Sequence, residues 1–240
     1  MTNQLIKIEN LKKSYETDDI LTPVLFGINF EINEGEFVAI MGPSGSGKST
    51  LMHIIGFLDT LTEGKYFFKG SDVSNLDDNS LALIRNEEVG FVFQSFNLLP
   101  KTTVFENVKL PLIYSKNKNN CDKMVKEAIK AVGLENKSNN LSNQLSGGEK
   151  QRVAIARSLV NNPSIIFADE PTGNLDSKSG QIIMEILENL NEKGHTVILV
   201  THEQDTARHA KRILKMRDGL LESDINVSDR RSAKDGELMK

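Results

Sequence analysis

Short apolar runs and amphipathic stretches alternate along most of the chain. Mostly apolar runs of four or five residues predict buried strands of a parallel sheet, at residues 37–41, 89–93, 165–168 and 196–200. Two segments with more polar positions, 5–11 and 25–32, predict further strands, and residues 65–69 follow a turn signal. Helices are predicted at residues 80–86, 122–132, 149–160 and 180–191. Strands that alternate with helices predict an α/β fold.

The composition changes in the middle of the chain and again near its last residues. Residues 97–143 are rich in Asn, Lys and Ser, and polar loops at 115–120 and 135–143 flank the amphipathic helix at 122–132. We expect a helical subdomain at about residues 97–160, inserted in a domain that spans residues 1–222. Residues 223–240 have too few apolar side chains to pack well, which predicts a loosely held polar tail.

Charge and hydropathy exclude several classes of protein. Lys and Arg number 29 against 33 Asp and Glu, and the net charge of -4 argues against a nucleic-acid binder with a broad basic surface. No stretch approaches the roughly 20 apolar residues that span a bilayer, and residues 1–9 lack the apolar centre of a signal peptide. We therefore expect a cytoplasmic chain that does not itself insert in a membrane. The single cysteine, Cys121, is expected to be a free thiol.

A glycine-rich segment follows the apolar run at residues 37–41. It fits the pattern G-x-x-x-x-G-K-[ST] and comprises Gly42, Pro43, Ser44, Gly45, Ser46, Gly47, Lys48, Ser49 and Thr50. Glycines allow a tight loop whose N–H groups point at phosphate oxygens, and the helix that follows adds its positive end. Lys48 is expected to reach the β- and γ-phosphates, and the Ser49 hydroxyl to ligate Mg²⁺. Strand, loop and helix together predict a nucleoside triphosphate site.

Two carboxylates follow the apolar run at residues 165–168. Because the strands of a parallel sheet open into the ligand crevice at their carboxyl ends, Asp169 and Glu170 are expected to face the nucleotide. Asp169 is expected to hold Mg²⁺, through water. Glu170 is expected to be the general base that polarises the water attacking the γ-phosphate.

The segment LSGGEKQ at residues 145–151 could by itself be a helix N-cap with flexible glycines. It also closely matches the signature motif of ATP-binding cassette (ABC) ATPases. With its other motifs in family order, the chain resembles, from about residue 4 to residue 222, the nucleotide-binding domain of an ABC transporter. Residues 91–100 and 173–177 are similar to the LolD- and MacB-type ATPases of lipoprotein release and macrolide export. The resemblance implies a P-loop NTPase (RecA-like) core, an N-terminal antiparallel β subdomain and an inserted α-helical subdomain.

The resemblance also implies ATP as the nucleotide and assigns further residues. Tyr15, expected in the loop after the first strand, matches the aromatic residue that stacks on adenine; a half-buried tyrosine at a strand end is the alternative. Gln94 matches the Q-loop residue that reaches Mg²⁺ or the attacking water. His202 matches the switch histidine at the γ-phosphate. Lys48, Gln94, Glu170 and His202 form the expected catalytic set, and Ser49, Gln94 and Asp169 the expected metal ligands.

The signature motif implies assembly with a second copy of the chain. In this family the phosphate loop of one subunit and the signature of another close over the same ATP. Ser146, Gly147 and Gly148 are therefore expected to bind a γ-phosphate held on the partner. A separate transmembrane permease is the second implied partner, docked on the helical subdomain and the segment after Gln94. Such docking would hold the chain at the cytoplasmic face of the inner membrane.

The sequence leaves more than one function open. The first is the ATPase of an export or mechanotransmission complex, which closes as a dimer on ATP. The second is an FtsE-like regulator that transports nothing and acts through a membrane partner. A DNA-repair or ribosome-acting ATPase is disfavoured by the absence of a long coiled-coil insertion, a second cassette and a basic excess. The sequence does not separate the first two, and the substrate is expected to be chosen by the partner.

Overall fold

A computed structural model describes residues 3–18, 20–115 and 119–233, and residues 116–118 of the predicted loop at 115–120 lie outside it. In chain order the strands are β1 (Gln4–Thr17), β2 (Ile20–Asn33), β3 (Phe37–Met41), β4 (Glu63–Phe68), β5 (Ser71–Asp72), β6 (Val89–Val92), β7 (Ile165–Asp169), β8 (Thr196–Thr201), β9 (Arg212–Arg217) and β10 (Leu220–Asn226). The α-helices are α1 (Lys48–Ile55), α2 (Asp78–Glu88), α3 (Val104–Lys109), α4 (Cys121–Ala131), α5 (Gly147–Leu159), α6 (Ser177–Glu192) and α7 (Gln204–Ala207). Short 3₁₀ turns lie at Leu110–Ile113, Glu135–Lys137 and Ser142–Gln144.

Two sheets divide the strands. One is antiparallel, with the order β2-β1-β4-β5. The other has the order β10-β9-β3-β8-β7-β6 and is parallel except for its edge strand β10. Apolar side chains from its central strands are buried on both faces, as the continuous apolar runs predicted. In β3, Phe37 and Ala39 belong to the core beneath α3 to α6, whereas Val38 and Ile40 belong to the core shared with α1 and the antiparallel sheet. This is the expected α/β fold.

The first strand is longer than predicted. β1 continues to Thr17 and pairs with β2 throughout, with Tyr15 opposite Thr22. The prediction of a loop at Tyr15 is therefore wrong. Register shifts between Ile8 and Leu11 and between Lys13 and Ser14 break the apolar alternation, so the pattern ends before the hydrogen-bonded ladder does.

The middle of the chain contains the two helices predicted there, α4 and α5, and also α3, which was not predicted. Between β6 and β7 lie α3, α4 and α5. Val125 and Ile129 of α4 and Val153 of α5 are fully buried in one core with Val104 and Val108 of α3. The Lys123 and Lys130 side chains on α4 are exposed, because the helix buries only one face. The subdomain boundaries at 97 and 160 remain a proposal.

Residues after 222 pack more closely than the sequence predicted. The proposed boundary at residue 222 falls inside β10, and Ala233 is buried. The Ala233 N–H donates to both carboxylate oxygens of Glu188 at 3.1 Å, and Arg230 donates to the His209 carbonyl at 2.8 Å. The expectation of a loosely held tail is therefore wrong for residues 223–233, because long-range polar contacts replace the missing apolar ones. Residues 234–240 lie outside the described range.

Replacing Glu188 by Ala is expected to lower the free energy of unfolding by about 1–3 kcal/mol, because the buried groups around it lose their acceptor. Burial acts against the charged form, but hydrogen bonds from His209 (2.7 Å) and Ala233 keep the pKa of Glu188 below its ordinary value of 4.5. The stabilisation is therefore present above pH 4.5 and is lost as the pH falls through the lowered pKa. Denaturant unfolding at pH 7 and at pH 4 measures both effects. The exposed Glu185 on the same helix is the control, and an equal loss in Glu185→Ala would contradict the account.

Candidate functional site

The phosphate loop joins β3 to α1 and has little room for side chains. A Cβ on Gly42 would lie 2.2 Å from the Met216 carbonyl oxygen, so only glycine fits where the loop crosses β9. Gly47, the N-cap of α1, has φ +94°, and a Cβ there would lie 2.7 Å from Leu25. The chain therefore turns directly from the strand end into the first turn of the helix. This geometry presents backbone N–H groups and the helix N-terminus to one point in front of the sheet.

Lys48 lies at the start of α1 with its side chain folded over the loop. Its Nζ donates to the carbonyl oxygens of Gly42 (2.9 Å) and Pro43 (2.7 Å). Burial lowers the pKa of Lys48, whereas the charges of Glu170 and Asp169 act to raise it. The ammonium group is therefore within electrostatic reach of both carboxylates. Its weak carbonyl partners can be exchanged for phosphate oxygens, which bind a cation more strongly.

Asp169 and Glu170 lie at the carboxyl end of β7, the second strand from β3. Burial and the neighbouring Glu170 charge raise the pKa of Asp169, and His53 and Lys48 act in the opposite direction. Glu170 has a left-handed backbone with φ +44°, and its N–H donates to the Val200 carbonyl. This conformation is energetically unfavourable for a residue other than glycine. The few residues that adopt it are concentrated at functional sites. The turn directs the Glu170 side chain across the end of β8.

His202 and Thr201 meet Glu170 at the end of β8. Glu170 Oε1 accepts a hydrogen bond from the backbone N–H of His202 at 3.0 Å. The same oxygen lies 2.6 Å from Nδ1 of the His202 ring. Thr201 Oγ1 donates to Glu170 Oε2 at 3.2 Å. The His202 side chain is 65% exposed, whereas that of Glu170 is 15% exposed. The structure thus brings two residues of the expected catalytic set into direct contact, with the imidazole on the solvent side.

Gln94 follows β6 and contacts the loop between β7 and α6. The Asn174 amide donates to the Gln94 backbone carbonyl at 3.0 Å, and a Cβ on Gly173 would lie 2.7 Å from Gln94 Nε2. The backbone after Gln94 turns sharply, because Phe96 and Asn97 both have positive φ. The structure therefore places Gln94 beside the segment that follows Glu170, as expected for neighbouring parallel strands.

Tyr15 lies near the phosphate-loop helix although it belongs to the other sheet. Its ring is 39% exposed, and its hydroxyl donates to Asp59 at 2.8 Å. Burial and the Asp59 hydrogen bond raise the pKa of Tyr15, and a hydrogen bond with the Thr50 side chain acts in the opposite direction. Tyr15 is therefore beside Thr50 at the edge of the loop, with part of its ring open to solvent.

The signature residues lie at the start of α5. Ser146 is the N-cap and forms a capping box with Glu149: Ser146 Oγ accepts from the Glu149 N–H, and the Glu149 carboxylate accepts from the Ser146 N–H. Ideal Cβ positions on Gly147 and Gly148 would approach Leu175 and Ser179, at the start of α6. Gly147 and Gly148 thus lie against the segment from Leu175 to Ser179. They present helix N–H groups to solvent.

The residues present suit a triphosphate and a hard divalent cation. Ser46 Oγ is buried in the phosphate loop without a hydrogen-bond partner among the described residues, which is expected where a ligand supplies one. Oxygen donors of the kind that Mg²⁺ prefers are available on Ser49, Gln94 and Asp169. No cluster of three or more His, Cys, Asp or Glu residues capable of holding a metal occurs over residues 3–18, 20–115 and 119–233.

Several contacts at the site were not predicted from the sequence. Thr201 supports Glu170, Asn174 holds the Gln94 backbone, and Arg157 of α5 donates to the carbonyl oxygens of Phe96 and Asn97. Burial lowers the pKa of Arg157. For Arg157 the sequence does contain a signal, because an arginine among the apolar residues of α5 indicates a polar contact. Asn174 lies in the segment 173–177 that resembles the family, but its contact with Gln94 follows from loop geometry, as does the role of Thr201.

The sequence is similar to a known protein family and to individual members of it. The family model described as "ABC transporter" matches residues 25–173. A macrolide export ATP-binding/permease protein MacB of Bdellovibrio bacteriovorus is 54% identical over 92% of this chain and 34% of its own length. The chain thus spans about a third of the length of such relatives. An uncharacterized ABC transporter ATP-binding protein of Methanocaldococcus jannaschii, MJ1508, is 50% identical over 92% of this chain and all of its own.

A solved structure shares the fold closely. It is titled as the dimeric structure of a post-hydrolysis state of the ATP-binding cassette MJ0796 bound to ADP and Pi. That protein comes from Methanocaldococcus jannaschii. The match has a TM-score of 0.83 and 47% identity, and covers 93% of this chain and 99% of the other.

Proposed function

The chain belongs to the ABC transporter family, as an ATPase cassette of the MacB/LolD type, and we propose that it powers an export complex by closing as a dimer on ATP. The observation that carries the proposal is the contact of Glu170 with His202, together with the electrostatic interaction of Glu170 and Asp169 with Lys48. These groups can bind a triphosphate, activate water and sense the terminal phosphate. The FtsE-like regulatory alternative has no observation in its favour.

Glu170 is the proposed general base. Hydrolysis requires a water molecule aligned with the γ-phosphate and a group that accepts its proton. The carboxylate of Glu170 is held by Thr201 and by the His202 backbone, so it is oriented before substrate arrives. His202 adds a donor that can pass from Glu170 to a γ-phosphate oxygen. Thr201 therefore acts through Glu170, as a positioning residue.

The phosphate loop, Lys48 and Asp169 form the proposed binding half. Lys48 would exchange the Gly42 and Pro43 carbonyls for β- and γ-phosphate oxygens. Ser49, Gln94 and Asp169 are the residues that would hold Mg²⁺. When bound, Mg²⁺ would neutralise charge on the phosphates. The raised pKa of Asp169 fits a group that gains a cation on its exposed side, because a buried carboxylate without one is poorly stabilised.

A second copy of the chain is the proposed source of the missing half-site. Ser146, Gly147 and Gly148 present a helix N-terminus, which attracts a phosphate. By the arrangement that the family resemblance implies, they would bind a γ-phosphate held on another protomer. The dimeric cassette MJ0796 supports this arrangement. ATP then contributes to the interface, so the dimer should form when ATP binds and separate after hydrolysis.

The proposed second partner is a membrane permease. No helix in the described residues is long and apolar enough to cross a membrane. A groove of about 600 Å³ lies between α2, β6 and the turn after α3, with an apolar lining that includes Leu58, Val89, Phe91, Phe93, Leu110 and Tyr114. Arg157, which holds the backbone after Gln94, also borders this groove. A cytoplasmic helix of a permease, docked there, would keep the chain at the cytoplasmic face of the membrane and lie close to Gln94.

Replacing Tyr114 by Asp is expected to reduce the fraction of the chain bound to permease-containing membranes by about tenfold or more, because Tyr114 is 74% exposed at this groove and a central aromatic anchor carries much of an interface. ATP hydrolysis by the isolated chain should not change. Ile225→Asp is the matched control, since Ile225 is 53% exposed on β10. Equal membrane binding by the Tyr114 variant and the wild type would place the docking site elsewhere.

The experiment that tests the proposed function is purification of the tagged Glu170→Gln chain from membranes in the presence of ATP, followed by mass identification of what accompanies it. We expect one transmembrane protein in stoichiometric amount. Its loss in the Tyr114→Asp background would link it to the groove. Recovery of no membrane protein would contradict a role in export.

A further inference from the structure

A buried lysine and an aspartate hold the proposed adenine platform. Lys13 and Tyr15 lie two residues apart on β1. Lys13 Nζ is 2.7 Å from Asp59 Oδ1 and 4.7 Å from the centre of the Tyr15 ring. The other oxygen, Asp59 Oδ2, accepts the Tyr15 hydroxyl hydrogen bond at 2.8 Å. One carboxylate thus connects the ammonium group and the phenol.

The cluster also connects the antiparallel sheet to the phosphate-loop helix. Asp59 lies four residues after the end of α1, and its N–H donates to the His53 carbonyl at 3.2 Å. Lys13 makes a further hydrogen bond to the Thr60 carbonyl at 2.7 Å. Any shift of Tyr15 relative to α1 would therefore break hydrogen bonds at Asp59.

Lys13 is buried, and its contacts with Asp59 and Tyr15 do more than join β1 to the loop after α1. Lys13 is 7% exposed, and a charged group is rarely placed so deep without compensation. Burial opposes ionisation of Asp59, yet hydrogen bonds from Lys13 and Tyr15 keep the pKa of Asp59 below its ordinary value. An ion pair between Lys13 and Asp59 alone would already join β1 to the loop. The additional bond to the Tyr15 hydroxyl, and the ammonium group over the ring, fix the position of the aromatic side chain itself.

We infer that Lys13 and Asp59 are positioning residues that fix the Tyr15 ring as a base-stacking platform at a set distance from the phosphate loop. The inference rests on the proposed function, in which Tyr15 stacks on adenine. The ammonium group of Lys13 occupies one face of the ring, at 4.7 Å from its centre, so the base would use the opposite face. A ring held at its hydroxyl and on one face loses little freedom when the base stacks, which strengthens binding.

The test compares the affinity of ADP, which carries the base, with that of pyrophosphate, which does not. Isothermal titration is carried out on the full chain and on Asp59→Asn, Lys13→Met and Tyr15→Phe, each with Mg²⁺. We expect the Kd of ADP to rise about 3- to 10-fold in each variant, the size of one lost aromatic stack. The Kd of pyrophosphate should stay unchanged. Asp59→Asn combined with Tyr15→Phe should cost less than the sum of the two single losses, because Asp59 acts on the ring through the Tyr15 hydroxyl.

Three outcomes separate this inference from the function it rests on. Unchanged ADP affinity in Tyr15→Ala would overturn the platform itself. A loss in Tyr15→Ala together with unchanged affinity in Asp59→Asn and Tyr15→Phe would overturn only the positioning role. An equal loss for ADP and pyrophosphate would show that the cluster supports the phosphate loop, not the ring. Tyr15→Phe removes a single hydroxyl from a partly exposed side chain, so it decides the question if either charged variant fails to fold.

Discussion

Replacing Glu170 by Gln is expected to lower ATP turnover by a factor of about 10² to 10⁴, the range for loss of a general base. Glutamine keeps the size of the side chain. Its one oxygen can still accept from the His202 N–H, and its amide nitrogen can donate to the Thr201 hydroxyl, which also accepts hydrogen bonds. ATP binding should therefore survive while proton transfer does not. Because hydrolysis no longer releases the interface, an ATP-dependent dimer should accumulate. Phosphate release and sedimentation velocity measure the two effects.

The control for this prediction is Glu185→Gln, which removes an exposed carboxylate from α6 at no cost to the site. Turnover in that variant should match the wild type. If Glu170→Gln also hydrolysed ATP at the wild-type rate, Glu170 could not be the base, and the contact with His202 would need another explanation.

Replacing Lys48 by Ala is expected to raise the Kd of ATP by about tenfold to a hundredfold, the value of one charge-assisted hydrogen bond or slightly more. Lys48 is the cation within the phosphate loop, and the low exposure of its side chain strengthens its attraction for phosphate. Equilibrium titration with ATP measures the change. Lys65→Ala, which removes an exposed lysine of β4, is the control. Unchanged ATP affinity in the Lys48 variant would remove Lys48 from the binding half of the site.

Much of the site could be predicted because its parts are local. The phosphate loop needs a strand, glycines at tight turns and a helix start, and all three are written in consecutive residues. Asp169 and Glu170 were located by the rule that parallel strands open at their carboxyl ends. The structure brings Glu170 and His202 together because β7 and β8 are neighbours. The α/β fold followed from the same buried apolar runs.

The remaining features depend on contacts between distant residues. Tyr15 lies in a strand because β2 supplies its hydrogen-bond partners beyond the point where the alternation ends. β9 and β10 went unpredicted, since charged residues such as Arg212 and Asp224 pair with each other there. The packing of residues 223–233 depends on Glu188, 45 positions before Ala233, and no local pattern shows it.

The role of the signature residues cannot be predicted from their local structure. Ser146 has a complete structural role as an N-cap, and nothing in its own environment requires a ligand. Its proposed role comes from the match of residues 145–151 to the signature motif of the family. Each protomer then holds two different halves of an ATP site. Ser146→Arg would block the signature half, which completes the site on the partner. Lys48→Ala would disable the phosphate-loop half.

Mixing these two variants tests the shared site most directly. In the Glu170→Gln background, Lys48→Ala and Ser146→Arg should each fail to form an ATP-retaining dimer alone. A mixed dimer contains one intact site, made of the phosphate loop of the Ser146→Arg protomer and the signature of the Lys48→Ala protomer. Sedimentation velocity with labelled ATP should therefore show a dimer that retains nucleotide only in the mixture. If the mixture retained no more ATP than the separate variants, the phosphate loop and the signature would not act across two copies of the chain.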